Sequence, residues 1–381
     1  MEKFSAYRDP GTGIQPFLTP VPPPDGQSFS VLLRPLGYLL GIFRLALIIL
    51  LLLAYVIVVH GILSIFLLLP PIHRVATGAI TSIVCRSVLF LLGLYWISVE
   101  TVSKKRSRSH VAKTSWNPTA GDIIVSNWTS WIELLWLAFR FNPIFVLPIE
   151  DTRPVRSDSS AQSSSTTTQT PGRRTGTGSA NIASPAKTPS SRVPIIGYQP
   201  VSLLSMIRQS GNTPPYFSVS GARPCLLEDI KKKADRPIVL FPECTTSNGR
   251  GLMRFANVFN QSTPVQDWNI YIMCTRYDPP TTSAPTLSHS VPSTILNPLP
   301  HMFSVAKSLT PLTMSIRLLT PSESPTSPTF VASEVLGESS KMDLTEACAS
   351  LIAQVGKLKR MTLGWEDKSR FIEFYRGRRS S

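Results

Sequence analysis

The chain has 381 residues, enough for one large domain with accessory segments or for two smaller domains. Hydrophobic residues make up 43% and charged residues 16%, a low charge density for a soluble enzyme of this length. The net charge of +15 comes with no recognisable nucleic-acid module, so attraction to anionic lipid headgroups explains it more simply than nucleic acid does. Five cysteines (Cys85, Cys225, Cys244, Cys274, Cys348) and five histidines lie scattered singly, which excludes a disulfide framework and a zinc-type ligand set; no metal and no cofactor is expected. The thiols fit a reduced, cytosol-facing protein.

In chain order, residues 1–36 are rich in Pro and Gly and predict an extended cytosolic lead. Leu45 to Leu69 reads LALIILLLLAYVIVVHGILSIFLLL, with no formal charge at neutral pH, and is long enough for the roughly 20 apolar residues that a bilayer span requires. A second apolar stretch, Ala76 to Val99, is interrupted by Arg86 and fits a second span, a re-entrant helix or an interfacial helix, with Pro70-Pro71 turning the chain before it. Residues 37–100 therefore predict a membrane helix or helical hairpin. Lys104, Lys105, Arg106, Arg108 and Lys113 follow at once, which places the rest of the chain on the cytosolic side.

A globular α/β pattern starts near residue 115. Asp122 to Ser126 reads as a strand, Trp131 to Phe141 as a helix and Ile144 to Pro148 as a second strand. Thr152 to Arg192 is dominated by Ser, Thr, Pro, Gly and Arg, cannot bury enough surface to offset its ordering entropy, and predicts a disordered insertion open to phosphorylation. Globular character returns at Val193 to Gly197, with a helix-like stretch over Val201 to Ile207 and a strand over Tyr216 to Val219. Further strands are expected at Arg236 to Leu240, Trp268 to Cys274 and Ser315 to Leu319, with a Pro/Ser/Thr-rich stretch reaching about Pro300 and a flexible patch at Ser322 to Pro328. The domain thus covers 115–320. In 340–381, Asp343 is an N-cap for a helix with Leu344, Cys348, Leu351, Val355 and Leu358 on one face, and a basic tail follows.

Two blocks carry chemistry. The strand 236–240 runs into Phe241-Pro242-Glu243-Cys244-Thr245-Thr246-Ser247-Asn248-Gly249, which leaves a carboxylate and several hydroxyls at a carboxyl strand end, where open α/β sheets bind ligands. Cys244 reads as a small buried thiol. Asn248-Gly249 predicts a tight turn presenting backbone amides to a phosphate, with Arg250 supplying positive charge or serving as a solvated loop residue. The other block, Ser126-Asn127-Trp128-Thr129-Ser130-Trp131-Ile132-Glu133, also reads as a capping box, with Ser130 at the N-cap and Glu133 three residues on.

The 241 block resembles the Phe-Pro-Glu-Gly-Thr-Arg-Ser motif of the glycerolipid (PlsC-type) acyltransferases. The 126 block falls where that family has Asn followed by His-x-x-x-x-Asp. Asn127 matches, Glu133 stands at the Asp position and Trp128 replaces the histidine. Glu243 and Thr245 match; Cys244 replaces glycine and Thr246 replaces arginine. Arg223, in Tyr216 to Arg223, is the candidate for the family's phosphate-contacting arginine. Together with Met1 to Leu18 and the tail Arg370 to Tyr375, these blocks look like a fungal branch of lysophosphatidic acid:oleoyl-CoA acyltransferases also described as vacuolar-protein-sorting proteins, which lack the histidine too.

The resemblance implies a PlsC-like α/β domain, mixed sheet flanked by helices, behind an N-terminal membrane segment. It implies acyl-CoA as co-substrate, a lysophospholipid acceptor, and the endoplasmic reticulum membrane or lipid droplet as location. Catalytic residues would be Asn127, Trp128, Ser130 and Glu133, with substrate contacts from Arg223, Glu243, Thr245, Thr246, Asn248, Gly249 and Arg250. Without a histidine, Glu133 is expected to orient or deprotonate the acceptor hydroxyl, its basicity raised by burial beside Trp128 and Trp131. The other reading is a lipid-binding or scaffold protein that keeps the fold without the reaction.

Overall fold

The computed structural model describes residues 4–23, 28–103, 115–151, 191–216, 223–259, 268–328, 330–331, 335 and 343–377. Most of the 152–192 insertion, the basic cluster from Lys104 to Lys113 and the strand expected through Val219 lie outside them.

Short β-branched runs build the centre. β2 (Ile123–Ser126) and β5 (Ile238–Leu240) are buried along their whole length, as strands covered on both faces must be. They pair in parallel, and β2 also pairs in parallel with β7 (Ile270–Tyr277). β5 continues in parallel to β3 (Ile144–Glu150), against which β4 (Ile195–Val201) runs antiparallel. On the other side β8 (Met314–Leu319) is antiparallel to β7, and β1 (Ile97–Val102) closes the edge parallel to β8. The result is a mixed seven-stranded sheet in the order β1-β8-β7-β2-β5-β3-β4. A separate two-stranded pairing joins β6 (Gly251–Leu252) to β9 (Lys359–Arg360).

Helices cover both faces. One face buries Trp128, Trp131, Leu134, Leu137, Val239 and Met273 beneath α2 (Pro70–Leu91), α3 (Ile132–Phe141), α4 (Leu203–Gln209) and α6 (Leu299–Ala306). The other packs Ile123, Leu240, Ile272 and Cys274 against α7 (Leu344–Gly356), with α5 (Leu227–Lys233) at the margin. Asp343 caps α7 by accepting from the Thr345 amide at 3.0 Å, and Leu344, Cys348, Leu351 and Val355 are buried as their spacing predicts.

α1 (Ser28–Val56) continues through a π turn (Ile57–Gly61) and a 3-10 segment (Ile62–Leu68), and Pro70 then opens α2 as a first-turn proline. Among the described residues these are the two helices long and apolar enough to cross a membrane. Leu39, Ile42, Phe43, Leu50, Leu53, Ile65, Val75 and Ile83 are all exposed. α1 is joined to the domain through Arg44, which donates to the carbonyls of Ala306 (3.1 Å) and Ser308 (2.8 Å). α2 ends earlier than the apolar pattern does. Gly93 takes φ +94°, Arg86 donates to the carbonyls of Leu94 (3.0 Å) and Tyr95 (2.7 Å), and the chain leaves to form β1. The apolar residues from Ile97 onward therefore belong to the sheet edge, not to the membrane segment.

The lead is not free. Tyr7 and Phe17 pack with Phe371, Ile372, Met253 and Leu363, on and beside α8 (Trp365–Gly377). The Asp9 carboxylate accepts from the Thr12 amide (2.8 Å) and hydroxyl (2.7 Å) and from the Thr362 amide (2.8 Å) and hydroxyl (2.6 Å). Burial pushes the Asp9 carboxyl up, but these four bonds outweigh it and hold the group below its ordinary value. Asp9→Ala is expected to cost about 1–3 kcal/mol by stranding those donors and to free residues 4–18, read as a lower unfolding midpoint and faster amide exchange there. Unchanged exchange would show that the aromatic packing alone holds the strap.

Candidate active site at the ends of β2 and β5

The two chemistry-bearing blocks leave adjacent parallel strands at their carboxyl ends. Asn127 follows β2 and crosses to β7, its Oδ1 accepting from the Thr275 amide (2.8 Å) and its Nδ2 donating to the Thr275 carbonyl (2.9 Å). The chain then presents three successive amides, and two carboxylates take them. Glu243 Oε2 accepts from Trp128 N (2.7 Å); Glu133 Oε1 accepts from Thr129 N (2.5 Å) and Ser130 N (2.8 Å). Glu243 Oε1 also accepts from Met253 N (2.8 Å), and Glu133 Oε2 from the Tyr277 hydroxyl at the end of β7.

Both carboxylates are fully buried. Desolvation raises Glu133 to about 7 against the lowering pull of these hydrogen bonds. It raises Glu243 to about 8, with the Glu133 charge adding to the rise and Lys368 opposing it. The capping box is half made. Glu133 returns to the amides before α3, but the N-cap position is Trp131, and Ser130 Oγ is buried and makes no capping bond. Glu133 is held on both oxygens by its own loop and by Tyr277, a geometry that suits a positioning group better than the free base expected for it. Trp128 stacks on Phe241 at 5.1 Å, and its indole donates to the Ser130 carbonyl (3.1 Å), so its ring is a wall of the site.

The 241 block is ordered by a residue that sequence reasoning missed. Lys368 of α8 is fully buried, and its Nζ donates to Thr245 Oγ1 (2.8 Å) and the Thr246 carbonyl (2.6 Å). Burial pushes its pKa well below the usual lysine value while Glu243 pulls it back up. Thr245 donates in turn to the Asn212 carbonyl (2.6 Å). Cys244 is buried at φ +55°, the left-handed region that favours glycine, at the position where the acyltransferase motif has one.

Five residues expected to contact substrate, Asn248, Gly249, Arg250, Arg223 and Thr246, are engaged or placed elsewhere. The amides of Ser247, Asn248, Gly249 and Arg250 are taken by Trp128 O (2.9 Å), Pro16 O (2.9 Å), Ser247 Oγ (3.3 Å) and Asn248 Oδ1 (3.2 Å), so the Asn248-Gly249 turn, with Gly249 at φ +73°, offers none of them to a phosphate. Asn248 Nδ2 holds the lead instead, donating to the carbonyls of Gln15 (2.7 Å) and Leu18 (3.0 Å). Arg250 and Arg223 are exposed, and no contact among the described residues ties Arg223 to either block. Thr246 points to His289, its hydroxyl donating to that carbonyl.

His289 comes to the site from the Pro/Ser/Thr-rich stretch that reaches about Pro300, and His301 from just beyond it. Their rings lie 4.7 Å apart, and the His289 amide donates to Thr129 O (2.9 Å). Asn297 bonds His289 and ties this loop to the end of α4 through the Arg208 and Ser210 carbonyls, an order that the local sequence does not signal. No family model matches the chain, and neither does a curated protein or a solved structure. Among the described residues no cluster of His, Cys, Asp and Glu has the arrangement of a metal site.

Proposed function

We propose that this chain is a membrane-bound, acyl-CoA-dependent lysophospholipid acyltransferase of PlsC-like fold, forming phosphatidic acid from lysophosphatidic acid. One observation carries the reading. The two blocks singled out by resemblance, more than a hundred residues apart, meet at neighbouring strand ends, where Glu133 and Glu243 close on the amides of residues 128–130. Support comes from the left-handed backbone at Cys244, which fits a motif that elsewhere places glycine there.

The setting agrees. α3 packs on α2, and α6 on α1, which puts the walls of the site beside the two apolar helices and within reach of a lipid acceptor. In this reading α1 and α2 enter the membrane of the endoplasmic reticulum or the monolayer of a lipid droplet, the domain faces the cytosol, and surface cations meet anionic headgroups.

A second reading, a lipid-binding scaffold without turnover, is favoured by the burial of Glu133, Glu243, Thr245 and Thr246, each satisfied by internal hydrogen bonds. Full-length protein in nanodiscs, given labelled oleoyl-CoA and a panel of lysolipids, separates the two. The expected result is labelled phosphatidic acid from lysophosphatidic acid, reduced by about 10²-fold in Glu133→Ala, which releases the loop carrying Thr129 and Ser130. Lysolipid binding without product from any acceptor establishes the scaffold.

A further inference from the structure

The residue at position 128 cannot accept a proton, yet the loop that contains it is lined by two histidines from the 278–301 region. Their hydrogen bonds differ. His301 Nδ1 accepts from the Trp131 indole N–H (2.9 Å) and its Nε2 donates to the Thr286 carbonyl (3.1 Å), so both ring nitrogens are committed. His289 has its Nε2 at 2.8 Å from Asn297 Oδ1. The orientation of Asn297 is fixed by its own Nδ2, which donates to the carbonyls of Arg208 (2.9 Å) and Ser210 (2.7 Å), while its Oδ1 also accepts from Ser293 N (3.0 Å). Asn297 Oδ1 is therefore an acceptor, and His289 Nε2 carries the hydrogen. The lone pair of the neutral ring then lies on Nδ1, which makes no hydrogen bond to a described residue although His289 is only 4% exposed.

The backbone of His289 joins the two blocks directly. Its amide donates to Thr129 O (2.9 Å), and its carbonyl accepts from Thr246. A base whose second nitrogen is oriented by a fixed polar group is the recurring arrangement for activating a hydroxyl.

Resting on the acyltransferase reading above, we propose that His289 is the proton acceptor of the reaction and Asn297 the residue that positions it. The lysolipid hydroxyl oxygen attacks the thioester carbonyl carbon as its proton passes to His289 Nδ1. The C–O ester bond forms, the C–S bond breaks, and the proton on Nδ1 is transferred to the departing sulfur, giving CoA thiol. Burial, with the neighbouring His301 second, holds the free imidazole down at about 3, so the base form is filled throughout the physiological range.

His289→Gln tests this, because the glutamine amide retains an N–H for Asn297 Oδ1 and has no basic nitrogen. In the nanodisc assay the expected result is a fall in kcat of about 10²–10⁴-fold with KM for acyl-CoA nearly unchanged, while Asn297→Ala gives a smaller fall. His301→Gln serves as the comparator, with a weaker effect on kcat. An active wild type with an equally active His289→Gln overturns the assignment and leaves the acyltransferase reading standing. A wild type that turns over no lysolipid removes both. If His289→Gln fails to fold, imidazole ¹⁵N shifts of histidine-labelled wild type decide. The expected tautomer has a bare Nδ1 at His289, and a hydrogen found on that nitrogen overturns the proposal.

Discussion

Glu243→Ala is expected to lower the unfolding free energy by about 2–5 kcal/mol. Two losses combine. The Trp128 and Met253 amides, now bonded to the carboxylate at 2.7 and 2.8 Å, become buried donors without partners. Where Glu243 is ionised, Lys368, fully buried, also loses the charge that favours its ammonium form. The two side chains do not touch. They share the 241 block, Glu243 tying it to the Trp128 and Met253 amides and Lys368 holding its Thr245 and Thr246, so their coupling is electrostatic and travels through that short segment. Removing both members should therefore hurt less than the sum of the single losses. Glu243→Gln combined with Lys368→Met is expected to recover about 0.5–3 kcal/mol of coupling in a double-mutant cycle read by denaturant titration. Strictly additive losses would mean that the lysine is neutral and independent of the carboxylate.

The core of the sheet was legible because its strands are short apolar runs ending in turn residues. Ile123 to Val125 and Ile238 to Leu240 could hardly be anything else, and Asn127, Glu133 and Glu243 follow them at the strand ends, where a ligand site was expected. Elsewhere the local signal misled for identifiable reasons. β1 lies inside an apolar stretch that never changes character, and Gly93 alone marks where helix gives way to strand. Residues 4–18 look like a loose lead, yet Asp9 and Phe17 dock it through partners more than two hundred residues away, a separation that composition cannot register. The same holds for the residues that complete the site. Lys368 sits in a basic tail, where a lysine ordinarily faces water, and His289 in a stretch whose Pro, Ser and Thr content reads as flexible. Both acquire meaning only when α8 and the loop before α6 fold back over the ends of β2 and β5. A turn motif such as Asn248-Gly249 was found correctly as a turn, but the direction in which its amides point depends on neighbours at Trp128 and Pro16.

The stability of the wild type, measured against Glu133→Gln/Glu243→Gln, is expected to fall as pH rises from about 5 to 8, the reverse of the usual carboxylate behaviour. Burial raises Glu133 to about 7 and Glu243 to about 8, so between the ordinary carboxylate value of 4.5 and those values the folded chain holds protons that the unfolded chain has released. The slope of unfolding free energy with pH follows the difference in bound protons, unfolded minus folded, and is negative across that window. The stabilisation is complete below the unfolded value and is lost as the pH passes the folded ones. Each group contributes at most about 1.4 kcal/mol per pH unit, less where Lys368 offsets the new charge on Glu243. The other groups facing the pair do not mimic the effect: burial holds Tyr277 well above this range, while His289 and His301, held at about 3 and about 4, and Lys368, held well below its ordinary value, titrate in the opposite sense and are common to the wild type and the double variant. Asp9 and Glu346, held below their ordinary values, add stability that disappears only on the acid side. Denaturant titrations of wild type and of Glu133→Gln/Glu243→Gln at pH 5, 6, 7 and 8 check the sign. The difference in unfolding free energy, wild type minus double variant, should decrease along the series. A difference that stays level or increases towards pH 8 would mean that both carboxylates are ionised in the folded chain, held so by the four amides and the lysine around them.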